Sequence, residues 1–220
     1  MNYNEMLINY IDNCPYDEPI FIEDIKDYFR NKIKNNFDKI MKNIYVYINR
    51  LVKQNKLFQF SKGIYYKAKK TRLGYKKLNR IKVINKKFIE DKNNIKGYYS
   101  GAYLFNELGL STQMPRERLI ITNECPNKND YENKALGVTI RKPKIEVNED
   151  NYQYLQIIDV LINKDNVNVE VDKDKEREII YNYIKENSLD FEKLIKYMRK
   201  LNTKKPLEKL YELESDDKNE

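Results

Sequence analysis

The stretch FDKIMKNIYVYINRLVKQNKLFQFSKGIYY, residues 37–66, decides how the first part of this chain folds. Phe37, Ile40, Met41, Ile44, Ile48 and Leu51 recur at helical spacing, so a long amphipathic helix begins near Phe37. Leu57–Phe60 and Ile64–Lys67 read as two strands, and Ser61-Lys62-Gly63 supplies a tight turn between them. Upstream, Tyr3, Leu7, Tyr10 and Ile11 share one face of a first helix, which Cys14-Pro15 ends because the residue before proline avoids the helical region. Pro19–Phe21 reads as a short extended segment. Ile22, Ile25, Tyr28 and Phe29 then mark a second helix, with Glu23 and Asp24 well placed near its N-terminus, and the polar stretch from Arg30 to Asn36 as the turn that follows. Helix, short strand, helix, helix, hairpin is the order of a winged helix-turn-helix. There the third helix enters the major groove and the hairpin lies along the adjacent backbone.

The charge pattern agrees with that order. From Lys39 to Ile89 there are 16 Lys and Arg and no Asp or Glu, with apolar residues interleaved as a folded surface requires and a solvated tail does not. Residues 1–97 hold 22 basic and 10 acidic side chains, net +12; residues 98–220 hold 20 and 24, net −4, which sum to the chain's +8. Such asymmetry marks a polyanion-binding module joined to one without that affinity. Opposite the apolar stripe of the third helix stand Lys39, Lys42, Asn43, Val46, Asn49, Arg50 and Lys53. Asn pairs bidentately with an adenine edge and Arg with a guanine edge, so Asn43, Asn49 and Arg50 can read bases. The lysines, with Lys62 at the hairpin tip, suit phosphates, which position a protein without specifying sequence. Any surface helix of a Lys-rich chain shows some such face; the absence of acids and the helix order lift this one above that background.

The remainder is expected to be a mixed, mainly helical α/β domain, making the whole chain α+β. The expected domains are residues 1–72 and 73–220, with 73–79 a connector and 215–220 an acidic tail. Residues 80–91 read as a basic helix through Ile81, Ile84, Phe88 and Ile89, Gly97–Gly101 as a loop, and Ala102–Leu108 as a helix stopped by Gly109. Leu119–Asn123 and Leu136–Arg141 read as strands, 151–162 as a helix, and Val167, Val169 and Val171 as a strand or extended loop. Two further helical stripes follow, Ile179–Ile184 and Phe191–Met198, the latter with Asp190 as N-cap; a last short helix opens at Pro206 and carries Leu207, Leu210 and Tyr211.

The chain has no His, which removes His-based triads, His general bases and most metal sites. Cys14 and Cys125 are far apart, and zinc chemistry is not expected. No P-loop or dinucleotide fingerprint occurs, and Tyr99-Ser100-Gly101 is not a hydrolase elbow. The carboxylates Glu146, Glu149 and Asp150 read as solvated surface. Arg141-Lys142-Pro143-Lys144 is a basic strand end that suits nucleic acid, a partner, or solvent alone. We therefore expect no catalytic residues, no metal and no cofactor. No run reaches the roughly 18–20 apolar residues of a membrane span. The N-terminus lacks a signal-peptide layout, so a cytoplasmic location without membrane partners is expected.

Several blocks together resemble the AbiEi-like antitoxins of type IV toxin–antitoxin (abortive infection) systems. Asn49–Leu57 followed by Lys62–Tyr66 resembles their winged-helix core, and Ser100–Leu104 with Leu108–Pro115 resembles the block that follows it. Val138–Pro143 and Leu155–Asp159 are similar to two later segments, colinear from about residue 37 to 162. Asn55 stands where that family usually has glycine, a mild departure because Asn tolerates the left-handed conformation. The resemblance implies a bacterial antitoxin that represses its own operon at inverted repeats in duplex DNA. Its C-terminal domain would counteract a nucleotidyltransferase-like toxin without forming a stable complex. A plain winged-helix regulator with a ligand- or protein-binding C-terminal domain is the alternative; an RNA-processing enzyme anchored by its basic domain is a third.

Overall fold

The structure is a computed structural model that describes residues 2–33, 35–127 and 129–202. The helix expected from Pro206 to Tyr211 and the tail Ser215–Glu220 lie outside the described residues. The chain mixes helix and strand, as its α+β composition implies, and divides into two compact units, residues 1–86 and 87–220. The units part at Lys86 because residues 76–86 are tied back to the first one. Lys76 pairs with Asp17, Lys82 with Glu18 and Lys86 with Asp24, and Lys86 also donates to the Pro19 carbonyl.

In the first unit, α1 (Tyr3–Asn13) is capped by Asn2, whose side chain accepts from the Asn4 and Glu5 amides. Then come β1 (Ile20–Phe21), α2 (Ile22–Arg30) and α3 (Phe37–Lys53). Leu7 and Ile11 of α1 pack with Ile22, Ile25 and Phe29 of α2 and with Ile40, Met41, Ile44, Ile48 and Leu51 of α3. The apolar stripes read from periodicity are thus the buried ones. After α3, Asn55 adopts φ +54°, and Leu57 closes back on the Leu51 carbonyl. β2 (Phe58–Ser61) and β3 (Ile64–Tyr66) form the hairpin, and β1 adds to β3, giving an antiparallel sheet ordered β1-β3-β2. Gly63 occupies φ +78°, its carbonyl accepts from the Ile22 amide at 2.9 Å, and a Cβ there would meet Ile22 Cγ2 at 3.1 Å. The hairpin turn is thereby seated on the start of α2.

The segment expected to be a connector is folded. β4 (Lys70–Thr71) and β5 (Gly74–Tyr75) pair into a second, short hairpin, since Thr71 Oγ1 accepts from the Leu73 amide and donates to the Gly74 carbonyl. The expected 80–91 helix is also shorter. It runs as α4 (Arg80–Ile84), continues as one π-helical turn (Asn85–Ile89), and stops where β6 (Glu90–Asp91) turns through Lys92 and Asn93 into β7 (Asn94–Ile95). Both turn residues have positive φ, 51° and 67°, as a two-residue hairpin loop of this type demands.

In the second unit, Gly97–Ser100, expected to be loop, is strand β8. It pairs antiparallel with β9 (Arg118–Thr122), which pairs in parallel with β11 (Val138–Arg141), which β10 (Tyr131–Asn133) flanks antiparallel. α5 (Gly101–Glu107) follows β8, and Gly109 at φ +76° lies just past its end. α6 (Tyr152–Asn163), α7 (Lys173–Glu186) and α8 (Phe191–Lys200) surround a helical core with α5. Leu104, Phe105, Ile157, Ile158, Ile180, Ile184, Leu194 and Met198 fill it. Val167, Val169 and Val171 pack on that core from an extended loop, and Asp190 caps α8 by accepting from the Lys193 amide at 2.8 Å. Cys14 and Cys125 lie in different units and are not disulfide-bonded.

Candidate nucleic-acid interface

α3 presents its two faces cleanly. At about 100° per residue, Lys39, Lys42, Asn43, Val46, Asn49, Arg50 and Lys53 fall within an arc of about 120°, opposite the buried stripe. All seven are exposed, and so is Lys62 beside Gly63 at the turn of the first hairpin. From Lys39 to Lys53 the face runs about 21 Å along the helix. Val46 is 52% exposed in its middle, an apolar contact of the kind that meets a thymine methyl. Beside it, Asn2, Tyr3 and Asn4 at the start of α1 and Asn43, Val46, Tyr47 and Arg50 of α3 line a shallow depression.

The electrostatics follow from where the acids went. Residues 1–86 hold 19 basic and 8 acidic side chains, net +11. Among those acids Asp17, Glu18 and Asp24 pair with lysines of residues 76–86, and Asp27 pairs with Arg30. Asp38 alone belongs to α3, at its first turn. Among the described residues none of Lys39, Lys42, Arg50, Lys53 and Lys62 has a carboxylate partner. Three of the eight acids are thus engaged by residues 76–86, and no salt bridge offsets the basic side chains of the α3 face among the described residues. Such a face suits a phosphate backbone with base edges between the phosphates.

Sequence reasoning passed over a second place of interest, in the other unit. Ser100 at the end of β8 donates to Asp159 of α6, which also accepts from Asn163 Nδ2 at 2.9 Å and from the Gly101 amide. Burial pushes the Asp159 carboxyl above the ordinary carboxylate range, and the Ser100 hydroxyl and the nearby Arg141 charge offset this only in part. Tyr98 is raised by burial as well. Asp159, Tyr98, Ile121, Leu155 and Ile158 line a cavity of about 170 Å³ with the strand end Arg141–Lys144 at its edge. Arg141 is held by Asp130 through two bonds of 2.9 and 2.7 Å, whereas Lys142 and Lys144 are exposed. Ser100 is completely buried, and its hydroxyl ties the end of β8 to α6 through Asp159. Three blocks noticed singly in the sequence, Ser100-Gly101, Val138–Pro143 and Leu155–Asp159, meet here. Their spacing gave no signal of it, because the meeting depends on a parallel β9–β11 pair. Glu146, Glu149 and Asp150 are exposed.

Residues 21–191 match a family of unknown function, DUF6088, and the chain belongs to that family. The match extends across both compact units. None of the curated proteins matches the chain.

Proposed function

We propose that this DUF6088 protein is a DNA-binding repressor of the AbiEi-like antitoxin kind and not an enzyme. In this reading residues 1–72 are a winged helix-turn-helix with α3 as recognition helix and the β2–β3 hairpin as wing. Arg50, Asn43 and Asn49 read base edges, while Lys39, Lys42, Lys53 and Lys62 hold phosphates. The protein acts in the cytoplasm on its own operator, and the second unit opposes a nucleotidyltransferase-like toxin without stably binding it. The observation that carries the DNA half is the α3 face, where no basic side chain has an acidic partner among the described residues. The antitoxin half rests on the colinear blocks.

The test is one strain carrying the cognate gene pair and a promoter reporter. Changing Lys42, Asn43, Asn49 and Arg50 together to Ala should abolish repression and leave rescue from the toxin intact. Loss of both by a folded protein would show that antitoxicity needs DNA binding and would overturn the division of labour. The Asp159 cavity favours a second reading, a regulator whose second unit binds a small ligand. A neighbouring gene for something other than a nucleotidyltransferase would support it.

A further inference from the structure

Residues 69–77, KKTRLGYKK, are a built hairpin on a fixed root. The Lys76 amide donates to the Lys69 carbonyl at 3.0 Å. Below it sits Asp17, almost fully buried, which accepts from the Lys69 amide at 3.3 Å and from the Lys76 ammonium at 3.4 Å. The Asp17 amide in turn donates to the Lys67 carbonyl at 2.8 Å. On the flank, the Tyr75 ring packs on Phe58 at 4.7 Å, and Phe58 packs on Tyr66 at 5.6 Å. The root therefore stands beside the first residue of β2, where the chain has just left α3.

The rest of the hairpin has nothing to hold. Every residue from 69 to 77 is exposed, and Leu73 at the tip is 102% exposed. Five of the nine residues are basic, and of these Lys76 is the one with a carboxylate partner among the described residues. An ordered arm that keeps a leucine wholly in water, next to an arginine and flanked by lysines, gains nothing from that tip within its own fold. Its chemistry complements a polyanion with an apolar interior. A duplex groove has that character, with phosphates along its walls and base steps at its floor.

We propose that this hairpin is a second DNA-contacting arm. Arg72 enters the minor groove next to the segment read by α3, Leu73 wedges against a base step, and Lys70 and Lys77 contact phosphates. The proposal rests on the reading of α3 as a recognition helix. Arg is drawn to the negative potential of a narrow minor groove, and apolar wedges there unstack and bend the duplex.

The experiment uses the full chain, a duplex of its own upstream region and a random duplex of equal length. Leu73→Ala should weaken binding to the upstream duplex about tenfold, leave the salt dependence unchanged and reduce the bend seen by circular permutation. Lys70→Ala with Lys77→Ala should lower the log–log salt slope by about 2. Arg72→Ala should remove competition by an oligoamide that fills the A·T minor groove. These side chains are exposed, so unchanged melting should accompany each result. Variants that bind, bend and titrate like a DNA-binding wild type overturn the arm while leaving the α3 reading in place. A wild type that does not bind the duplex overturns both. Unaltered DNA binding with lost toxin rescue assigns the hairpin to a protein partner and also overturns the proposal.

Discussion

Arg50 and Lys62 are both exposed cations without a carboxylate partner among the described residues, and in the proposed interface their placement gives them different roles. Arg50 stands on the α3 face between Asn49 and Lys53, where a planar fork can meet a guanine edge. Lys62 stands at a turn whose backbone is pinned to α2, which suits a point charge against phosphate. Arg50→Ala should cost about 1–3 kcal/mol on the operator and relax specificity, whereas Lys62→Ala should weaken operator and random DNA alike. Equal losses on both duplexes for Arg50→Ala, measured by gel shift, would demote Arg50 to a phosphate contact. Asp17 supplies a pH prediction. Burial works to raise its pKa, but the Lys69 amide and the Lys76 ammonium more than reverse this and hold it below the usual carboxylate range. A depressed folded pKa contributes stability above the unfolded value of about 3.9, and that contribution is lost as pH falls below it. The wild type should therefore lose urea resistance more steeply than Asp17→Asn between about pH 5 and pH 2. Asn tolerates the φ of +60° at this position, so the substitution tests charge rather than backbone. Parallel curves would show that Asp17 titrates alike in both states.

Elements differ in how far local sequence announces them. α2 and α3 are legible because a 3.6-residue stripe records burial on one side, and the residues it names are those packed in the core. The first hairpin is legible from Gly63. β8 is not, because Gly97 and Gly101 carry the composition of a loop. In the fold Gly97 is glycine for another reason, since a Cβ would lie 2.2 Å from the Phe88 carbonyl and 2.7 Å from the Ile121 carbonyl. Gly97→Ala must displace backbone on both sides and should destabilise the second unit by about 3 kcal/mol or more, read as a shifted urea midpoint. A cost under about 1 kcal/mol would mean that β8 can move aside. The second hairpin is illegible for a different reason: a lone glycine in a basic run looks like a linker, and its anchor, Asp17, lies 52 residues upstream of Lys69 in sequence. The Ser100–Asp159–Arg141 cluster is hidden likewise, because strand order is set by long-range pairing that no local pattern encodes. On α3 itself, the quadruple change at Lys42, Asn43, Asn49 and Arg50 removes no buried contact. Helix propensity improves at the Asn positions, so the melting temperature should hold or rise while DNA binding is lost. A large drop in melting temperature would mean that the face is structural.

At the scale of the whole molecule, charge is distributed by unit. Residues 1–86 carry +11 and residues 87–220 carry 23 basic against 26 acidic side chains, net −3, which together give +8. Apart from Asp38 in its first turn, α3 carries no acid, so its exposed face is strongly positive. The second unit, with its slight acidic excess, holds a small, part-apolar cavity around a carboxylate of raised pKa. A ligand or partner of the second unit should accordingly leave non-specific DNA affinity unchanged. The most direct measurement is the affinity of the full chain for a duplex of its own upstream region and for a random duplex, as salt is raised. The four lysines proposed to hold phosphates on α3 and the first hairpin, with Lys70 and Lys77 of the second, predict a log–log slope of about −5, tighter binding to the upstream duplex, and loss of that preference in the quadruple α3 variant. Binding that ignores salt, or no binding at low salt, would contradict the account.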